Sequence, residues 1–127
     1  MKIIIQNSSN MPIYQQVEEQ IKVSILNGEL KDDELLPSIR QLAKDLKISV
    51  ITTTRAYAEL EREGYISIVQ GKGCFICPKN NELIREHLLR SIKENFSNAI
   101  KTANIGKISS KDLMEIFQTM MEGNIYE

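Results

Sequence analysis

Apolar residues recur at helical spacing in two segments of the first half of the chain. The first segment predicts a helix from about Pro12 to Asn27, since proline suits a first helical turn and Gly28 is placed as a stop. The second predicts a helix that starts at Ser38, with an apolar face formed by Ile39, Leu42, Ala43 and Leu46. Before both, residues 2–5, KIII, predict a short strand.

The next segment, ISVITTTRAY from Ile48 to Tyr57, gives two conflicting signals. Its β-branched residues favour a strand, because such side chains lose freedom in a helix. Its spacing favours a helix from Val50, with Ser49 as N-cap, Gly64 near the C-cap and one stripe formed by Thr53, Ala56, Tyr57 and Leu60. Packing routinely overrides propensities below about 1 kcal/mol per residue, so we interpret the segment as a helix.

Two short amphipathic helices joined by a tight turn form a helix-turn-helix unit. The sequence YISIVQ-GKG-CFICP follows directly and predicts a β-hairpin, which makes the unit a winged one. We therefore predict a winged helix-turn-helix domain over residues 1–79, mainly α with a small amount of β structure.

Residues 80–127 have a different pattern, in which apolar residues follow each other at spacings of three and four. They predict a long helix to about Asn104 and, after Gly106, a last helix that ends near Gly123. Two helices cannot bury two apolar faces alone, so they either fold back on the winged domain or pair with a second copy. We favour a homodimer; its predicted contact residues are Leu89, Ile92, Phe96, Ala99, Ala103, Leu113, Ile116, Phe117 and Met120.

Composition excludes several classes of function. The 127 residues carry a formal charge of −1, so a DNA-binding face must concentrate its positive groups locally. Cys74 and Cys77 lie three apart in a predicted strand and point to opposite faces, and His87 is the one histidine, so no metal site is expected.

No catalytic constellation or phosphate-binding loop is present, so we expect neither an enzyme nor a cofactor. No apolar run could span a membrane, and a cytoplasmic location is expected.

The residues resemble a known family. The segment LLPSIRQLAKDLKISVITTTRAYAELEREGYISIVQGKGCF is similar to the DNA-binding core of GntR-type bacterial transcription regulators, and PIYQQVEEQI with NGEL resembles the helix that precedes it. The short helical tail resembles that of the YtrA-type branch. This resemblance implies a dimeric repressor, often of a transporter operon, that binds double-stranded DNA at a pseudo-palindromic operator.

The family's contacts with phosphates and bases fall on three groups of residues in this chain. The first group is Ser38 and Arg40, at the start of the second helix. The second group, in the third helix, is Ser49, Val50, Ile51, Thr52, Thr54 and Arg55, and the third group, at the wing, is Gln70, Gly71 and Lys72. Many members have Arg where this chain has Val50 or Thr54, and Gly where it has Lys47. The operator sequence therefore does not follow from the resemblance, and the sequence predicts no particular small-molecule effector.

The main alternative is a winged domain that serves protein contacts or DNA architecture without reading a sequence. If DNA is the partner, the basic side chains Arg40, Lys44, Arg55, Arg62 and Lys72 are expected on one exposed face.

Overall fold

The computed structural model describes residues 1–123 and divides the chain into two compact units, residues 1–87 and the residues from 88 onward. The helices are α1 (Ile13–Leu26), α2 (Ile39–Leu46), α3 (Val50–Arg62), α4 (Glu82–Ile105) and α5 (Ser110–Gly123). The strands are β1 (Leu35–Leu36), β2 (Ile66–Val69) and β3 (Gly73–Ile76). The mainly helical class with a small sheet is confirmed.

The helix-turn-helix forms as the spacing of apolar residues predicts. Ser38 Oγ accepts a hydrogen bond from the backbone N–H of Gln41 at 3.1 Å, and Ser49 Oγ accepts one from the N–H of Thr52 at 3.0 Å. Each serine thus satisfies a backbone donor that the first turn of a helix leaves unpaired. Between the helices Lys47 adopts a left-handed conformation at φ 57°, which costs a non-glycine residue about 1 kcal/mol.

The segment with conflicting signals is helical because one face of it is completely buried. Thr53, Ala56, Tyr57 and Leu60 have no exposed surface. The Tyr57 hydroxyl donates to the carbonyl oxygen of Pro37 at 2.7 Å and so ties α3 to the start of α2. Burial raises the pKa of this phenol, which keeps it protonated and able to donate.

The wing is the two-stranded hairpin β2–β3, and β1 extends it to an antiparallel sheet of order β1-β3-β2. Within it, Ile66 pairs with Ile76 and Val69 with Gly73. The carboxylate of Glu61, on α3, accepts a hydrogen bond from the backbone N–H of Ile68 at 2.9 Å and links the hairpin to that helix. β1 was not predicted, because two residues are too short to produce an alternating pattern.

The strand predicted at residues 2–5 is wrong. The backbone of Ile4 in this segment, and of Gln6 just after it, pairs with amide side chains of α1 and not with another strand. Gln20 makes two hydrogen bonds with the backbone of Ile4, at 2.9 and 2.8 Å, and Gln16 makes two with Gln6, at 2.9 and 3.1 Å. Two glutamines four residues apart on one helix face thus replace a β partner for the N-terminal segment.

The two cysteines are free thiols with no shared site. Cys74 is buried in β3 and Cys77, just after the strand, is half-buried. Burial raises the pKa of both thiols, which keeps them protonated.

Helices α4 and α5 contact each other within the second unit. The rings of Phe96 and Phe117 meet edge to face with centroids 5.9 Å apart, and Ser109 caps α5 by accepting from the N–H of Asp112 at 3.1 Å. Ala103 is buried, with 5% of its surface exposed. The first turns of α4 belong to the first unit, because Ile84 lies in its core. None of the described helices has the length and apolar character needed to cross a membrane.

Candidate nucleic-acid interface

The outward face of α3 is apolar at its N-terminal end. Ile51 is 82% exposed and Val50 41% exposed, although both are large apolar residues that folding usually buries. Thr54 and Arg55 are exposed on the same helix, and Thr52 is half-buried. An exposed apolar start to a capped helix is suited to contact with another molecule.

The hydroxyl groups of this face are engaged within the helix. Ser49 Oγ donates to Thr52 Oγ1 at 2.8 Å, and Thr54 Oγ1 donates to the carbonyl oxygen of Val50 at 2.8 Å. These protons are therefore not available to a ligand unless the internal bonds break. What the face offers directly is methyl groups, the Thr52 hydroxyl, the other hydroxyl oxygens as acceptors, and the Arg55 side chain.

Arg55 is stacked on an aromatic ring from another helix. Its guanidinium carbon lies 3.8 Å from the ring centroid of Tyr14, which is half-buried on α1. A cation at this distance is attracted by the negative face of the ring. The sequence indicated only a core or linker role for Tyr14, because spacing along α1 does not reveal which residue of α3 it meets.

The N-terminal end of α2 supplies a second group of predicted contact residues. Ser38 is exposed, but its side chain caps the helix through Gln41, so its hydroxyl oxygen serves the fold. Arg40 is exposed one residue into the helix, next to the positive end of the helix dipole. The pair therefore provides a guanidinium group beside the free backbone N–H groups of a helix start, an arrangement that favours anions.

The wing tip supplies the third group. Gln70, Gly71 and Lys72 are all exposed, and the N–H of Lys72 bonds to the carbonyl of Val69 at 2.9 Å to close the turn. Gly71 has φ 79°, a conformation that glycine adopts without strain. The hydrogen bond from Ile68 to Glu61 fixes the strand that leads to this tip, so the wing is held to α3.

Five basic side chains were expected to be exposed if DNA is the partner: Arg40, Lys44, Arg55, Arg62 and Lys72. All five are exposed, but two of them contact other side chains of the protein. Arg55 lies on Tyr14, and Arg62 is paired with Glu59, with its Nε 3.1 Å from the carboxylate. Hydrogen bonding to Glu59, followed by the charge of that carboxylate, raises the pKa of Arg62. Arg62 is therefore already neutralised locally and is the weakest of the five as a phosphate contact.

A separate charged cluster, formed by Lys22, Glu18, Glu63 and His87, is largely buried. Lys22 Nζ lies 3.1 Å from both carboxylate oxygens of Glu63 and 3.8 Å from Glu18 Oε1. His87 Nδ1 lies 2.7 Å from Glu63 Oε2, one of the two oxygens that Lys22 contacts, and the ring of His87 meets that of Tyr65 edge to face. The cluster joins α1, the end of α3 and the first turns of α4.

Carboxylate oxygens of Glu18, Glu59 and Glu63 come within 4.8 Å of one another, a spacing that could hold a cation. Lys22 already supplies the positive charge that these groups need. Burial raises the pKa of Glu18, and the charge of Lys22 opposes that rise. We interpret the cluster as an internal ion pair, which sequence analysis missed because no local pattern marks a buried lysine.

The residues predicted to form a dimer interface lie on α4 and α5. Eight of the nine are exposed or half-buried in the single chain, and Ala103 is the buried one. Ile92 and Ile116 are 42% and 50% exposed, and α5 has no buried residue among those described. We call the six large exposed residues of this set the apolar tail face; they are Leu89, Ile92, Phe96, Ile116, Phe117 and Met120.

The chain is similar to a known family model and to a transcriptional repressor. The family model described as "Bacterial regulatory proteins, gntR family" matches residues 13–76. The chain is 35% identical over 107 residues to the HTH-type transcriptional repressor YtrA of Bacillus subtilis, covering 84% of this chain and 82% of the relative.

Two solved structures extend the comparison. A transcriptional antiterminator from Listeria monocytogenes superposes with a TM-score of 0.73 at 26% identity, covering 100% of this chain and 98% of that one. The DNA-binding domain of AraR, solved in complex with operator ORX1, superposes with a TM-score of 0.54 at 28% identity, covering 61% of this chain and 96% of that one. These relatives are regulators, in agreement with the prediction that the chain is not an enzyme.

Proposed function

The chain belongs to the GntR family of DNA-binding transcription regulators, and from this premise we propose that it is a homodimeric repressor of an inverted-repeat operator. The observation that carries the proposal is the exposed, capped N-terminal end of α3, in a domain that also exposes Arg40 on α2 and the wing tip. We assign DNA binding to residues 1–79 and dimerisation to residues 80–127. The repressor role follows the relative YtrA, and a transporter operon stays a prediction from resemblance.

Dimerisation is supported by the apolar tail face. Contiguous apolar residues left uncovered on a helix pair are typical of an interaction surface, and a second copy of the same face would bury them. Two winged domains would then be presented to two half-sites about one helical turn apart, as in other helix-turn-helix dimers.

The chemistry of α3 suggests what each half-site contains. Val50 and Ile51 have no hydrogen-bonding side-chain groups, so they can contact thymine methyl groups but cannot select guanine. Hydroxyl protons of Ser49 and Thr54 are held within the helix. We therefore expect thymine at the positions that face Val50 and Ile51, with the remaining affinity coming from phosphate contacts.

The test is selection of bound fragments from the genome of the source organism, with the 127-residue chain at low salt. Enrichment of an inverted repeat supports the proposal. Retention of fragments with no common sequence would instead support an architectural winged-helix protein, and failure to retain duplex DNA would contradict DNA binding altogether.

Arg40→Ala is expected to weaken binding about tenfold on every duplex, because the lost interaction is a charged hydrogen bond to a phosphate. The slope of log affinity against log salt should fall by about one per subunit. Fluorescence anisotropy on several duplexes measures both quantities. Arg85→Ala removes another exposed arginine outside the proposed contact set and is the matched control; an equal loss in the control would remove Arg40 from the interface.

Val50→Arg is expected to change which bases are preferred, and to favour guanine by about tenfold or more at the facing position, because arginine binds guanine bidentately. Repeating the fragment selection with the variant measures this change. Val23→Arg adds the same charge at an exposed position of α1 and should leave the selected sequence unaltered. An unchanged sequence with Val50→Arg would show that Val50 does not face a base.

A further inference from the structure

Tyr14 lies on α1, outside every residue group so far assigned to DNA binding, yet its ring carries the guanidinium of Arg55. We propose that Tyr14 is a positioning residue: it holds Arg55 against the side of α3, where the guanidinium binds a DNA phosphate. This inference rests on the proposed function and assigns one of its contacts.

The geometry leaves the binding groups of Arg55 available. At 3.8 Å from the ring centroid, the guanidinium lies against the ring face. Its five N–H donors lie in the guanidinium plane, so a ring on that face does not consume them. The arginine is thus restrained and keeps the planar fork that matches two phosphate oxygens.

The direction of the side chain favours a phosphate over a base. α1 packs against α3, so an α3 side chain that reaches Tyr14 is turned sideways from its own helix. A recognition helix in the major groove has base edges ahead of it and the phosphate backbones on either side. Arg55 turned toward α1 therefore faces the wall of the groove, and its contact should not depend on sequence.

Restraint before binding explains why an aromatic ring is useful here. A free arginine side chain loses much of its rotamer freedom when it binds, and a side chain that is already held loses less. Losing the ring while keeping Arg55 should weaken binding about fivefold, which corresponds to a cation–π contact of about 1 kcal/mol.

The experiment measures affinity and its salt slope on a mixed-sequence duplex for the full chain. The variants are Tyr14→Leu, Tyr14→Phe, Arg55→Gln and the double variant Tyr14→Leu/Arg55→Gln. We expect Tyr14→Leu to weaken binding about fivefold, Tyr14→Phe to bind like the wild type, and Arg55→Gln to lower the slope by about 0.9 per subunit. In the Arg55→Gln background, Tyr14→Leu should have no further effect, because Tyr14 acts through Arg55.

Three results would overturn the inference while leaving the proposed function intact: no effect of Tyr14→Leu, an equal effect in both backgrounds, or an unchanged salt slope in Arg55→Gln. A wild type that binds no duplex would overturn the proposed function and this inference together. Proton NMR of the free wild type tests the contact without any variant that must fold. Upfield-shifted Arg55 side-chain resonances support the stacking, and unshifted ones overturn it.

Discussion

Replacing Ile92 by glutamate is expected to convert the proposed homodimer to a monomer and to weaken binding to the proposed operator by about 100-fold or more. Ile92 is exposed in the single chain and lies on the apolar tail face, where the proposed interface would bury it. A buried unpaired carboxylate at that interface is strongly unfavourable. Without the dimer, each half-site is bound separately and the gain from linked binding is lost, which is typically 10²- to 10⁴-fold.

Sedimentation velocity measures the mass, and anisotropy on the selected repeat measures the affinity. Asn98→Glu is the matched control, since it places the same side chain at an exposed polar position of α4. The control should stay dimeric. An Ile92→Glu protein that remains dimeric and binds normally would show that the apolar tail face does not form the interface.

Replacing Lys22 by methionine is expected to lower the free energy of unfolding by about 3–5 kcal/mol, as breaking a buried ion pair generally does. Its ammonium group lies 3.1 Å from both carboxylate oxygens of Glu63, and both side chains are more than nine-tenths buried. Methionine keeps the packing but removes the ammonium group, so the Glu63 carboxylate keeps, among the described residues, only its contact with His87. Since a domain is stable by only 5–15 kcal/mol, thermal unfolding should shift by roughly 15 °C or more.

The pH dependence separates lost charge from lost packing. Burial raises the pKa of Glu18, and Lys22 opposes this, so removing Lys22 should raise it further. A carboxyl group with a raised folded pKa costs stability above that pKa, and the cost disappears as the pH falls through it. The deficit of Lys22→Met should therefore shrink on acidification. The control is Lys31→Met, at an exposed lysine, which should change stability by less than about 0.5 kcal/mol at any pH. If the loss of stability in Lys22→Met does not change with pH, the charge explanation is contradicted.

Spacing predicted the winged domain well because its helices each bury one continuous stripe. Ile48–Tyr57 is the clearest example: its β-branched residues suggested a strand, but the buried stripe of α3 decided the structure. Two of the threonines also bond to the helix itself: the hydroxyl groups of Thr53 and Thr54 donate to carbonyl oxygens one turn earlier, at 3.1 and 2.8 Å. These bonds offset part of the low helix propensity of β-branched residues. The resemblance then indicated the function from motifs that fall on these same elements.

Features that depend on contacts distant in sequence could not be predicted in this way. The backbone of Ile4 bonds to Gln20 and that of Gln6 to Gln16, which no strand pattern reveals. The stacking of Arg55 on Tyr14 and the pairing of Lys22 with Glu63 join residues on different helices. A single sequence shows which residues are unusual for their position, but their partners become known only once the helices are packed.

The most direct test of the account compares binding to the selected inverted repeat with binding to the same repeat carrying about five extra base pairs between its half-sites. That insertion is about half of the roughly 10-base-pair helical turn, so it places the second half-site on the opposite side of the DNA. We expect two chains per repeat and a loss of about 100-fold or more in affinity on insertion. One chain per repeat, or equal affinity for both duplexes, would contradict a dimer that reads two half-sites together.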